Sequence, residues 1–219
     1  MFNKIKLIIL FSILVASLTI LTVLMKLGLL KSLDSSVYNF MIENRGHKGG
    51  FIYVLSRGLT EFGGFIILPI ICLLIGIYYK FDNRFFYLVL ILIIAVLTNM
   101  IFKELIGRIR PDKAYRWMKE TSYSYPSGHS VSTSSFYFSL ICVESKYDDN
   151  KLFKRIIIIL SIILIIVVPI TRLILAVHYF TDIIAGILYG IIISILGLLV
   201  LYSVVLRIYN MIIDKIRTE

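Results

Sequence analysis

The sequence predicts an all-α integral membrane protein, a six-transmembrane-helix bundle that forms a single domain over residues 1–219. Hydrophobic residues make up 59% of the chain and charged residues only 16%, and the mean hydropathy is +0.93. A soluble domain is about 45–50% apolar and about 25% charged, so the composition excludes a soluble globular fold. One crossing needs about 20 apolar residues, and the chain therefore has room for about six crossings.

Long apolar runs, separated by charged or polar segments, define the predicted spans. They are residues 7–25, 62–79, 85–102, 129–143, 156–175 and 183–206. The first run follows Lys4 and Lys6, as in a signal peptide, but it is longer than a signal core and no small-x-small cleavage site follows it. We expect it to be retained as a span.

The fourth predicted span is short and rich in Ser and Thr. Such a helix suits contact with other helices better than contact with lipid. A direct chemical role for its hydroxyl groups is the less favoured alternative.

Between the first two spans, residues 27–61 are partly amphipathic, which predicts short interfacial helices. Apolar side chains share one helical face in each of two stretches: Val37, Phe40 and Met41, then Phe51, Val54 and Leu55.

The formal net charge of +10 requires anionic partners. Basic patches interleaved with aromatic residues are absent outside the apolar runs, so nucleic acid is excluded in favour of anionic lipid surfaces and anionic substrates. Lys and Arg are almost equally numerous on the two predicted sides of the membrane. About half of one side's cations lie between residues 103 and 119, and if these bind phosphate they are not orientation signals. The remaining cations then place the N-terminus in the cytoplasm and this loop outside.

Lys103 and Arg110 are seven residues apart, or two helical turns, so both can lie on one face of the helix that leaves the third span. Pro111 ends that helix. A lysine point charge and an arginine fork together suit a phosphate group. The alternative is a basic collar that holds lipid headgroups.

The stretch Pro126-Ser127-Gly128-His129 opens the fourth span. Ser127 and Gly128 can turn backbone N–H groups toward an anion at a helix start. Taken alone, the stretch is equally typical of an ordinary turn.

Arg172, His178 and Asp182 lie between the fifth and sixth spans. His178 and Asp182 are i and i+4, so the carboxylate can accept a hydrogen bond from one imidazole nitrogen and leave the other free. A single histidine beside an apolar run is usually structural, but ionisable groups together at a membrane edge are more often functional.

Two crossings separate the first two motifs from the third, so all of them must face the same side of the membrane. Three cations, two histidines and one carboxylate then share one pocket, which suits a phosphoryl group. Oxygen ligands for a metal are scarce, and Cys72 and Cys142 lie in apolar runs without metal-ligand spacing. We therefore expect no metal and no cofactor.

The three motifs resemble the signature of the type 2 phosphatidic acid phosphatase superfamily, which shares its site with vanadium haloperoxidases. Two departures occur. Thr171 stands where Ser commonly precedes the arginine, and Phe180 stands where Pro is common. The matching segments are Lys103-x6-Arg110-Pro111, Pro126-Ser127-Gly128-His129 and Arg172-x5-His178-x3-Asp182.

The resemblance implies a role for each motif residue. His178 would attack phosphorus and form a phosphohistidine, with Asp182 orienting it. His129 would protonate the leaving oxygen and then activate water. The phosphoryl oxygens would be held by Lys103, Arg110, Ser127, Gly128 and Arg172.

The predicted function is that of a multi-pass plasma-membrane lipid phosphatase whose substrate enters from the bilayer. Undecaprenyl diphosphate is the favoured substrate, with phosphatidylglycerophosphate, phosphatidic acid and diacylglycerol diphosphate as alternatives. A lipid phosphotransferase using the same intermediate is a second reading, and a non-catalytic lipid-binding or transport protein is a third. Five further residues could either contact a headgroup or anchor the chain at the interface: Arg108, Lys113, Tyr115, Arg116 and Trp117.

Overall fold

A computed structural model describes residues 4–145 and 151–218, which are helical with no β-strand. Short 3-10 turns lie at Glu61–Gly63 and Lys113–Tyr115. The α-helices, in chain order, are α1 (Lys4–Lys26), α2 (Lys31–Asn44), α3 (Phe51–Thr60), α4 (Ile67–Tyr78), α5 (Asn83–Ile106), α6 (Gly128–Glu144), α7 (Lys151–Ile174) and α8 (Phe180–Thr218).

Helices α1, α5, α7 and α8 are each long and apolar enough to cross a membrane. Helix α3 with its 3-10 turn and helix α4 form a pair bent by 52°, which fits one broken span. Helix α6 has 17 residues, fewer than the about 20 that a full crossing needs. The predicted all-α membrane fold is thus confirmed, whereas the number of six crossings stays a prediction.

The predicted end of the third helix is wrong. Helix α5 ends at Ile106, because Gly107 follows with a left-handed backbone of φ +65°. Arg110 therefore lies in a loop and does not share a helical face with Lys103, and Pro111 is not the residue that ends the helix.

Two further predicted boundaries differ from the structure. The predicted second span is interrupted, because Gly63 and Gly64 follow α3 and the regular helix resumes only at Ile67. Helix α8 continues to Thr218 instead of ending near residue 206. Residues 198–218 contain no Gly or Pro that would stop it.

Helix α6 lies at the centre of the bundle, against α5, α7 and α8, and most of its side chains are buried. Three of its hydroxyl groups, those of Ser132, Ser134 and Ser135, donate to neighbouring backbone carbonyls. Ser132 Oγ donates to the Gly63 oxygen at 2.7 Å, and Ser134 Oγ donates to the Gly186 oxygen at 3.3 Å. These contacts agree with a packing role for the Ser and Thr residues of this helix.

Two glycines of α8 allow its backbone to approach α6 closely. A Cβ atom on Gly190 would lie 2.2 Å from Ser134 Oγ and 2.6 Å from the Val131 carbonyl oxygen, and one on Gly186 would lie 2.8 Å from the Ser127 oxygen. Such distances are shorter than any tolerated contact, so only glycine fits. The close crossing brings the start of α6 beside the start of α8.

We predict that Gly190→Ala lowers the thermal unfolding temperature in detergent micelles, because the added methyl group meets backbone and forces the helices apart. Overpacking of this kind costs about 1–3 kcal/mol. The matched control is Gly58→Ala in α3, where a Cβ atom would meet nothing within 4 Å and alanine improves helix propensity. Equal unfolding temperatures for Gly190→Ala and wild type would contradict the close-packed crossing.

Candidate active site

Two helix ends and two connecting segments meet around one cavity of about 240 Å³. Helix α5 supplies Lys103 near its end, α6 supplies Gly128 and His129 at its start, and His178 lies in the short connection between α7 and α8. Arg110 comes from the loop between α5 and α6. These five predicted site residues therefore line a single space.

The other three predicted site residues lie behind the cavity wall. Arg172, Ser127 and Asp182 are fully buried and do not line the cavity. The Ser127 side chain caps α6 by accepting a hydrogen bond from the Ser130 N–H group at 3.4 Å. Its backbone N–H group donates to the Asp182 carbonyl oxygen at 3.0 Å, which ties the start of α6 to the start of α8.

A tight turn places His178 at the cavity. Ala176 has a left-handed backbone with φ +55°, an uncommon conformation for a residue with a Cβ atom. The turn is closed by a hydrogen bond from the Val177 N–H group to the Arg172 carbonyl oxygen at 3.2 Å. The chain therefore reverses directly after α7 and presents His178 before α8 begins.

The hydrogen-bond partners of His178 assign its tautomer. Its Nε2 atom lies 3.0 Å from Arg110 Nη1, and its Nδ1 atom lies 3.3 Å from Asp182 Oδ2. A guanidinium group can only donate, so Nε2 is the unprotonated nitrogen and Nδ1–H donates to the carboxylate. Burial lowers the pKa of His178 well below its usual value, and the cations of Arg110, Lys103 and Arg172 lower it further. The imidazole is therefore neutral at neutral pH, with its lone pair at the cavity wall.

The Asp182 carboxylate is held on both oxygens. Besides His178, the Oδ2 atom accepts hydrogen bonds from Ser124 Oγ and, at 2.8 Å, from the Tyr179 N–H group. The Oδ1 atom accepts one from Arg108 Nη1 at 2.6 Å. These contacts fix the direction of the carboxylate toward His178 Nδ1.

The cations of the site are themselves anchored. Arg110 donates to the carbonyl oxygens of Ser122 at 2.7 Å and Val177 at 2.9 Å. Arg172 Nη1 donates to Thr60 Oγ1 at 3.0 Å. The Glu120 carboxylate bridges the two guanidinium groups, with one oxygen 3.3 Å from Arg110 Nη2 and the other in close contact with Arg172 Nη2.

Several contact residues were not predicted as site residues from the sequence. Glu120 is one of two carboxylates, with Asp112, in a cation-rich loop, and this contrast is the available signal. Ser124 and Thr60 carry no motif. The sequence leaves Arg108 open between headgroup contact and interfacial anchoring, whereas the structure places it against Asp182.

The other residues of that open group lie around the loop. Trp117 packs under the Arg45 guanidinium at 4.0 Å from its ring centre, and Arg116 donates to the Pro111 carbonyl oxygen. Within the described ranges, His, Cys, Asp and Glu side chains nowhere form a group of three that could hold a metal ion.

Comparison with known proteins identifies the family. Residues 84–206, which contain all three motifs, match the PAP2 superfamily. This chain belongs to that superfamily. The resemblance drawn from the three motifs is therefore confirmed.

Two relatives are informative. Phosphatidylglycerophosphatase B of Bacillus subtilis (strain 168) is 30% identical over 142 residues, which cover 60% of this chain and 66% of that protein. The crystal structure of a transmembrane PAP2-type phosphatidylglycerolphosphate phosphatase from Bacillus subtilis superposes with a TM-score of 0.73 at 25% identity, covering 90% of this chain and 94% of that one. The family and both relatives support the prediction of a membrane-bound phosphatase.

Proposed function

We propose that this protein is a lipid phosphatase that hydrolyses a terminal phosphomonoester or diphosphate through a phosphohistidine intermediate, without a metal ion. The observation that carries the proposal is the neutral His178 imidazole, whose Nε2 lone pair borders a cation-lined cavity while its Nδ1–H group faces the buried Asp182 carboxylate. A histidine in this arrangement is an activated nucleophile.

In the first step, His178 Nε2 attacks phosphorus and the bond from phosphorus to the lipid oxygen breaks. The imidazole ring becomes positive as the new N–P bond forms, and Asp182 stabilises that charge through the Nδ1–H group. His129 lines the same cavity. In its protonated form it donates a proton to the departing lipid oxygen and becomes the neutral base for the next step. In the second step, His129 removes a proton from water, the water oxygen attacks phosphorus, and the N–P bond breaks to release inorganic phosphate.

Charge on the phosphoryl oxygens is stabilised by the cations of the cavity. Lys103 and Arg110 line it directly, together with Gly128 at the start of α6. Arg172 lies fully buried behind them, and Ser127 fixes the helix start whose N–H groups face the anion. The proposed mechanism assigns no step to a metal ion, and the described residues offer no group of three His, Cys, Asp or Glu side chains that could hold one.

For the substrate, we favour phosphatidylglycerophosphate, because both relatives carry that activity in their names. Undecaprenyl diphosphate, favoured from the sequence, remains a second candidate. Both are lipids whose reacting phosphate is terminal, as a closed cationic cavity requires.

Lipid reaches the cavity sideways from the bilayer in this proposal. A second, apolar cavity of about 330 Å³ lies between α4 and α5 and is lined by residues such as Leu92, Ile93 and Leu97. It shares Gly63, Phe65, Val96 and Ser132 with the cationic cavity. The two spaces are thus contiguous, one suited to acyl or prenyl chains and the other to phosphate. We place the protein in the plasma membrane, with the N-terminus cytoplasmic and the site outside.

The proposed function predicts that the purified protein releases inorganic phosphate from phosphatidylglycerophosphate in the presence of EDTA. The assay compares this lipid with phosphatidic acid, diacylglycerol diphosphate and undecaprenyl diphosphate, with a lipid acceptor added in parallel. If kcat/KM is highest for undecaprenyl diphosphate, that lipid replaces phosphatidylglycerophosphate as the favoured substrate. Phosphate found on the acceptor lipid would indicate a transferase. Loss of activity in EDTA would contradict the metal-free mechanism.

The covalent step predicts a phosphoenzyme that His129→Ala makes visible. The nitrophenolate of p-nitrophenyl phosphate leaves without an acid, so the first step still proceeds in this variant. Hydrolysis of the phosphohistidine needs His129 as the base and should be slowed by about 10²–10⁴-fold. Mass spectrometry should find phosphate on His178. His178→Ala should abolish both the adduct and turnover, and phosphate on another residue would show that the nucleophile is wrongly assigned.

Sideways access predicts that Leu97→Trp lowers kcat/KM for the lipid about tenfold or more, while hydrolysis of soluble p-nitrophenyl phosphate is unchanged. The bulky ring fills the apolar cavity without touching the cationic one. Ile101→Trp is the matched control, because Ile101 lies on the same helix, is 62% exposed and lines neither cavity. Equal effects of both tryptophans on lipid turnover would contradict this access route.

A further inference from the structure

The Arg108 guanidinium lies between two buried carboxylates. Its Nη1 atom is 2.6 Å from Asp182 Oδ1 and its Nη2 atom is 2.6 Å from Asp34 Oδ2. Asp34 is 2% exposed and Asp182 is 0% exposed. The Tyr179 ring covers the guanidinium from another side, 4.4 Å from its centre. Arg108 therefore joins the predicted catalytic carboxylate to a second one.

Asp34 comes from the first turn of α2, far from the three motifs in sequence. Its Oδ1 atom accepts a hydrogen bond from the Thr181 N–H group at 2.9 Å, and its Oδ2 atom accepts one from Thr181 Oγ1 at 2.8 Å. It thus caps the start of α8 from another helix, one residue before Asp182. The Asp34 carboxylate thus binds Thr181 and Arg108, and both residues adjoin Asp182.

The charges of this group have a simple balance. Asp182 and Asp34 contribute two negative charges and Arg108 one positive charge, which leaves one negative charge beside His178. Without Asp34, the Arg108 cation would neutralise Asp182. The carboxylate would then stabilise a positive imidazole ring less well in a buried, weakly screened site.

We infer that Asp34 and Arg108 are positioning residues of the reaction: Arg108 aims the Asp182 carboxylate at His178, and Asp34 offsets the charge of Arg108 so that Asp182 remains an effective anion. The inference rests on the proposed function, in which His178 carries the phosphoryl group. Neither residue lines the cationic cavity. Arg108 does line a neighbouring polar cavity together with Arg110 and Glu120, so the test measures KM and kcat separately to distinguish action through Asp182 from contact with the substrate.

The test is a double-mutant cycle in which each variant hydrolyses p-nitrophenyl phosphate. KM and kcat are measured separately for every variant. Asp34→Asn should lower kcat on the order of tenfold with KM unchanged, since residues in one charged network show large couplings. Arg108→Gln should lower kcat further, because it leaves two carboxylates without their shared cation. The double variant Asp34→Asn/Arg108→Gln should exceed Arg108→Gln in kcat, because it again leaves Asp182 as the single negative charge.

Additive losses in log kcat would overturn the inference, as would a wild-type kcat for Asp34→Asn or a loss confined to KM. Should Asp34→Asn fail to fold, Arg108→Lys replaces it, because a lysine ammonium is a point charge without the rigid fork whose two nitrogens each hold one carboxylate. That variant should also lower kcat at unchanged KM, and wild-type kcat would overturn the inference.

Asp82→Asn is the matched control. Asp82 accepts a hydrogen bond from a helix-start N–H group, that of Arg84 at 2.9 Å, and pairs with the Arg84 guanidinium at 2.7 Å. It lies about 20 helical residues, or about 30 Å, from Lys103 along α5, so its removal should leave kcat unchanged. His178→Ala is assayed in parallel. If His178→Ala keeps turnover, the proposed function is wrong. If His178→Ala is inactive and Asp34→Asn is fully active, only the inference about Asp34 and Arg108 is wrong.

Discussion

The close crossing of α6 and α8 is the constraint on which the site depends. Glycines on α8 let the backbones of the two helices approach within the reach of side-chain to main-chain hydrogen bonds. One further hydrogen bond, from the Ser127 N–H group to the Asp182 carbonyl oxygen, fixes the two helix starts in register. His129 belongs to one start and Asp182 to the other, so helix packing sets the spacing between the proposed acid–base group and the proposed orienting carboxylate. The turn at Ala176 then places His178 between them.

Burial of charge is the second requirement, and the protein meets it by pairing. Arg108, Arg110 and Arg172 each contact a carboxylate, and the backbone carbonyl oxygens of the α5–α6 loop supply further acceptors. An unpaired ion at this depth would cost several kcal/mol. The single Glu120 carboxylate contacts two of the cations, so the site keeps positive charge for the phosphoryl group of the proposed substrate.

Much of this arrangement could be predicted from the sequence, and the limits have physical causes. Composition gave the membrane class, and the spacing of Lys103, Arg110, His129 and His178 together with the crossing rule placed them on one surface. Asp34 and Thr60 could not be found this way, since each is a single polar residue with a partner 147 or 112 positions away along the chain. Hydropathy also does not show where a span is broken. The bend between α3 and α4 lies at a pair of glycines, whereas α8 is longer than predicted because residues 198–218 contain no Gly or Pro.

The apolar cavity between α4 and α5 bears on which part of a lipid the protein can recognise. For a lipid that slides in sideways, the chains stay in hydrocarbon throughout, and the free energy of extraction, about 0.8 kcal/mol per CH₂ group, never has to be supplied. The free energy contributed by the lipid chains is then almost the same in the bound and free lipid. Chain length therefore cancels from the ratio of kcat/KM values for two lipids. Discrimination among lipids falls instead to the few ångströms around the phosphate, which makes the headgroup, and not the tail, the part of the molecule that evolution can tune here.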